Sequence, residues 1–278
     1  MRDRARGVPR SLGALRAVGR GQDDPYEPAG LSRHHLPEPV REPLNQFANR
    51  SWTFDTLVFL LAQNSILKTG LIMALLGWTW FRRTDSTQAR TTLVFGLIAS
   101  CVGVLVNRLL SLMVPFRVRP LRSAVIDFVV PQSVNPQTLL SWSSFPSDNA
   151  TLFFGLALSI YLVSRRAELL AFGHVLLVVG FARVYLGYHH PTDILAGALI
   201  GAGMVLLVMV PAIKTAVTRL PMPWQQEHPP SFHAALFVMM FLIAMTFEPV
   251  YPLAGFVLTA AKATINLTAV TVTATLHH

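Results

Sequence analysis

Residues 169–210 read LLAFGHVLLVVGFARVYLGYHHPTDILAGALIGAGMVLLVMV. Two apolar runs, Leu169–Leu186 and Ile194–Val210, stand on either side of a short polar hairpin. Each is close to the roughly 20 residues that a helix needs to cross a bilayer core of about 30 Å. Working outward, similar runs lie at Ser65–Phe81, Thr91–Val114, Ala150–Val163 and Phe232–Phe247. The expectation is an all-α integral membrane bundle of six transmembrane helices within residues 51–248. Trp52–Ala62 is apolar but too short to cross, so it lies at the interface or extends the first helix. In the C-terminal segment 249–278, Tyr251–Val272 is rich in threonine and carries Lys262. It is a candidate seventh helix, either a span or a surface helix.

Composition agrees. Hydrophobic residues make up 52% of the chain and charged residues 13%, against about a quarter charged in soluble domains. The mean hydropathy is +0.47. Residues 1–50 hold nine arginines and six acids and read as a polar tail, expected to be poorly ordered. The pI near 10.6 does not indicate nucleic acid, since no stretch interleaves aromatic and basic residues. Cys101, the one cysteine, sits in an apolar run and permits no internal disulfide.

The loops divide into two sets. Loops 82–90, 164–168 and 211–231 carry seven basic residues against three acids, which assigns them to the cytoplasm by the positive-inside rule. Loops 115–149 and 187–193 then face the other side, and they hold the unusual residues. One contains Pro115-Phe116-Arg117-Val118-Arg119-Pro120 and Ser143-Ser144-Phe145-Pro146-Ser147-Asp148-Asn149. The other runs from Arg183 to Asp193. Pro146 and Pro191 both suit the first position of a helix, where free N–H groups favour anions. With Arg117, Arg119 and Arg183 they make a cationic cup suited to phosphate. His189 and Asp193 are four residues apart, a spacing that lets the carboxylate orient one imidazole nitrogen and leaves the other free to attack. No convincing cluster of metal ligands is present.

These residues resemble a known family. Arg183-x5-His189-x3-Asp193 is similar to the last signature, S-R-x5-H-x3-D, of the type-2 phosphatidic acid phosphatase superfamily. Pro146-Ser147-Asp148-Asn149 resembles its middle signature, P-S-x-H, and Arg119-Pro120 the end of its first, K-x6-R-P. The resemblance implies a cofactor-free membrane lipid phosphatase acting through a phosphohistidine on His189, with Asp193 orienting it. Arg119, Arg183, Ser147 and backbone near Asp148 would hold phosphate oxygens. It further implies a lipid phosphate or pyrophosphate substrate and a bacterial inner membrane, with the site facing outward.

Three positions depart from the pattern. Ala182 replaces the serine before Arg183. Leu112 stands where the first lysine belongs, leaving Arg108 or Lys68 to supply that cation. Asn149 replaces the histidine that protonates the leaving group, and an amide cannot surrender a proton near neutral pH. An alternative is therefore a pseudophosphatase that binds or moves lipid phosphates without turnover; a lipid phosphotransferase is another. The glycines at 197, 201 and 203 read as close helix packing.

Overall fold

The computed structural model describes residues 43–82, 87–123, 126–132, 134–135, 142–218 and 221–245. The tail up to residue 42 and the segment from residue 246, including the seventh-helix candidate, lie outside them. Among the described residues the chain is all-helical, with no strand. Helix α1 (Trp52–Gln63) leads into α2 (Ser65–Arg82), and α3 spans Thr87–Met113. Then comes α4 (Asp148–Val163), followed after Ser164 by α5 (Arg165–Val175), a π-helical segment Leu176–Phe181 and α6 (Ala182–Tyr185), the last three forming one continuous run. Next are α7 (Pro191–Met209), α8 (Pro211–Thr218), α9 (Pro221–Glu227) and α10 (Pro229–Ala244).

Three helical runs, Thr87–Met113, Arg165–Tyr185 and Pro191–Met209, are long and apolar enough to cross a membrane, and α1 with α2 makes a fourth if the bent pair is one span. Large apolar side chains on their outer faces are open, among them Leu112 at 82%, Leu199 at 65% and Leu105 at 64% exposure. Such a surface fits hydrocarbon rather than water. The chain is a membrane protein.

Trp52–Ala62 falls within the helix α1, which meets α2 at a bend of 52°. The cause is local. The Asn64 side chain accepts from the backbone N–H groups of Ile66 and Leu67 at 3.0 and 3.1 Å, capping a new helix one residue after the old one ends.

The centre of the bundle is α3, α4 and α7. Lipid gives no hydrophobic drive between helices, so their association depends on close backbone approach. A Cβ on Gly197 would lie 2.4 Å from the Ser147 carbonyl oxygen, and one on Gly201 would lie 2.0 Å from that of Thr151. Gly96 against Ser159 and Gly155 against Ser100 bring α3 and α4 together in the same way. Gly203 meets nothing within 4 Å and takes no part in this packing. Phe153, Leu156 and Ile160 of α4 are fully buried in the core this forms. The approach of α7 to α4 sets their N-termini side by side, and the Ser147 N–H donates to the Asp193 carbonyl oxygen at 3.1 Å.

Candidate active site

Two helix starts and two loops converge here. Pro191 opens α7 as expected, after a capping box in which the Asp193 carboxylate accepts from the His190 N–H at 2.8 Å. Pro146 does not open α4. The helix begins at Asp148, and Ser147 is its N-cap, its hydroxyl accepting from the Ala150 N–H at 3.4 Å. A serine oxygen can take that orphan N–H whereas proline offers only its ring, so the boundary falls two residues later. Ser147 is fully buried.

His189 is 4% exposed. Its Nδ1 lies 2.8 Å from the Ser144 carbonyl oxygen and 3.8 Å from Asp193 Oδ2. Both neighbours are acceptors, so the proton sits on Nδ1 and the lone pair is on Nε2. The shorter orienting contact is thus the backbone of Ser144 rather than Asp193. Asp193 stands behind it as a hub. Ser144 Oγ donates to Oδ2, and Arg117 Nη1 pairs with Oδ1 at 2.6 Å while also donating to Thr192 at 2.9 Å. Ser144 was not singled out from the sequence, because a carbonyl group has no residue identity to read.

Arg119 donates to the backbone carbonyls of Tyr188 and Ser143, the latter at 3.3 Å. Its Nε, together with Nε and Nη1 of Arg183, is buried without a hydrogen-bond partner. Unsatisfied buried donors of this kind cost about 1–3 kcal/mol each, and more when charged, so three in one place call for an occupant. Burial, then the Arg183 charge, pushes Arg119 down to about 10, which still leaves it charged at neutral pH. Burial, with Arg183 and Arg119 adding to it, pushes His189 down to about 4 against the opposing pull of Asp193 and Ser144. His189 is therefore neutral at pH 7.

Arg108 is ion-paired with Asp148 and stacks over Trp142 at 4.1 Å. Asn107 donates to the same carboxylate at 2.6 Å and to the Pro146 carbonyl at 3.2 Å. This buried asparagine within an apolar run is a second residue the sequence reading passed over. Asp148 interacts with Arg119 and Arg183 as well, so the pair belongs to the same cluster. Leu112 points outward. Lys68 is buried on α2, with its carbonyl 3.0 Å from His174 Nε2 on α5, nine residues or about 13 Å along the helix from Arg183. Lys68 lies in the first turn of α2, just after the break at Asn64. Asn149 is half-buried in the first turn of α4, and its Oδ1 is buried with no partner.

Against known proteins, residues 112–214 match the model of the PAP2 superfamily. The matched region holds all the residues above from Arg117 to Asp193. The chain is 26% identical over 161 residues to undecaprenyl-diphosphatase BcrC of Bacillus subtilis (strain 168), covering 56% of this chain and 74% of that protein. It is 26% identical over 181 residues to bacitracin transport permease protein BcrC of Bacillus licheniformis, covering 62% and 78%. No solved structure matches. Residues 112–214 thus carry a PAP2 superfamily domain.

Proposed function

We propose that this protein is a lipid phosphatase that cleaves a polyprenyl or other lipid diphosphate through a phosphohistidine on His189. The observation that carries the reading is the set of three orphaned guanidinium N–H groups on Arg119 and Arg183 beside a buried, neutral histidine. A phosphate group satisfies all three donors. Nε2 of His189 attacks phosphorus, the P–N bond forms, and the bond to the leaving oxygen breaks. The imidazolium that results is stabilised by the Ser144 carbonyl and by Asp193, which Arg117 and Ser144 hold in place. Arg119, Arg183 and the first-turn N–H groups of α4 hold the phosphoryl oxygens. Ser147 contributes by capping that helix, and the Arg108–Asp148 pair flanks it. Water then cleaves the P–N bond and releases inorganic phosphate.

Asn149 decides which substrates react. It supplies no proton, and losing a general acid costs about 10²–10⁴-fold in rate. A departing phosphate is a much weaker base than a departing alkoxide and needs that proton less. A diphosphate is thus the favoured substrate, in keeping with a relative named for that activity. The fold has six spans: the three long runs, the bent α1–α2 pair, and the shorter apolar α4 and α10. The site opens on the extracytoplasmic side of a bacterial inner membrane, since the opposite loops carry the basic excess. The second reading, a lipid-phosphate-binding protein without turnover, rests on Asn149 and on Leu112 in place of the lysine. Phosphate release from a lipid diphosphate and from phosphatidate, by this chain and by Asn149→His, separates the two. Release from the diphosphate by the parent chain supports the enzyme, and no release by either protein from any lipid overturns it.

A further inference from the structure

A second cavity, of about 450 Å³, lies at the other end of the bundle, between the end of α2, the start of α3, the end of α4 and the start of α5. Arg82, Arg165 and Arg166 line it with Gln88, Thr92 and Ser164, and among the described residues no acidic side chain does. Arg82 lies 4.6 Å over Trp78 and Arg165 lies 5.8 Å over Tyr161. Among the described residues none of the three arginines is in an ion pair. The Ser164 side chain makes no capping bond at the start of α5, so the positive end of that helix adds to the same field. The cavity is separate from the His189 site, because the 16 residues of α4 run from one to the other, a distance of about 24 Å. Leu162 on its lining is 41% exposed, and Phe81 (70%), next to Arg82 in the chain, and Leu169 (79%), one turn after Arg165, are exposed as well. A free anion has no use for such neighbours, whereas acyl chains do.

We propose that this cavity binds the phosphate headgroup of an anionic phospholipid from the leaflet opposite His189. The guanidinium groups take the phosphate oxygens, and the apolar rim takes the first methylenes of the chains. Held there, the lipid ties the ends of α2, α3, α4 and α5 together. The reading does not depend on catalysis at His189.

The test is a titration of the purified protein in neutral detergent with short-chain phosphatidylglycerol, phosphatidylcholine or inorganic phosphate, followed by the thermal midpoint. A basic residue at an anionic surface is worth about 1 kcal/mol, or about fivefold in affinity. The expectation is a saturable rise with phosphatidylglycerol, weakened about fivefold in Arg166→Gln and about thirtyfold in Arg165→Gln/Arg166→Gln. Lys214→Gln on α8, outside the cavity, changes it by less than about twofold. Both arginines are exposed, so their replacement leaves the core intact. Unchanged affinity in the double variant, an equal loss in Lys214→Gln, or an equal rise with phosphatidylcholine overturns the proposal. So does an equal rise with inorganic phosphate, which would make this a site for the free anion.

Discussion

Of the three buried N–H donors at this site that lack a partner, Arg183 carries two and Arg119 one. That arrangement is costly in an empty site and favourable in a filled one. Replacing Arg183 with Gln keeps a donor but removes the charge, and should lower kcat/KM for a lipid diphosphate by about 10²-fold or more. His189 gives a pH prediction with a definite sign. Its pKa is pushed down to about 4 from 6.5, so the imidazole is neutral above about pH 4 and protonated below it. The acid limb of kcat/KM, which reports the free enzyme, should fall as pH drops through about 4 rather than through about 6.5. Asn149→His should raise the rate with phosphatidate by about 10²–10⁴-fold and the rate with a lipid diphosphate by much less. Steady-state phosphate release across a pH series measures all three. Arg119, Arg183 and His189 stood out because arginine and histidine are rare in apolar sequence, whereas Asn149 had meaning only against the family signature. The Ser144 carbonyl was not, since any residue can supply one.

The helices that hold the site meet through backbone. Gly201 and Gly197 of α7 sit against carbonyl oxygens of α4, and an added methyl at either has no flexible neighbour to displace. Gly201→Ala should destabilise the protein by about 1–3 kcal/mol and pull apart the two helix starts, with activity falling alongside the thermal midpoint. Gly203→Ala, facing open space, should change neither. The run of apolar residues announced these helices, yet it could not distinguish Gly203 from Gly201, because that depends on which face of α7 meets α4. The bend between α1 and α2 was hidden for a similar reason. Asn64 interrupts an otherwise continuous apolar pattern, and hydropathy averages over it. A positioning role falls to α1 as well. Asp55 accepts from the Tyr185 hydroxyl and from the Asn49 N–H at 3.1 Å, and Gln63 donates to the Tyr188 hydroxyl at 3.0 Å. These contacts brace the loop that carries His189.

For the whole molecule, the basic loops and the chemical loops lie at opposite ends of the bundle, so orientation is testable with the chain's single cysteine removed. In a Cys101→Ser background, Gln132→Cys on the loop beside the site should react with a membrane-impermeant maleimide in intact cells. Thr215→Cys on α8 should react only after the membrane is opened. The reverse pattern would place the site in the cytoplasm. The central claim concerns the bond that forms on His189, and the most direct measurement is rapid quenching of the protein during turnover of a lipid diphosphate, followed by mapping of acid-labile phosphate. The account predicts phosphate on the His189 peptide in the parent chain, and neither phosphate there nor appreciable turnover in His189→Ala. Turnover that persists in His189→Ala, or that proceeds with no phosphate on His189, would contradict it.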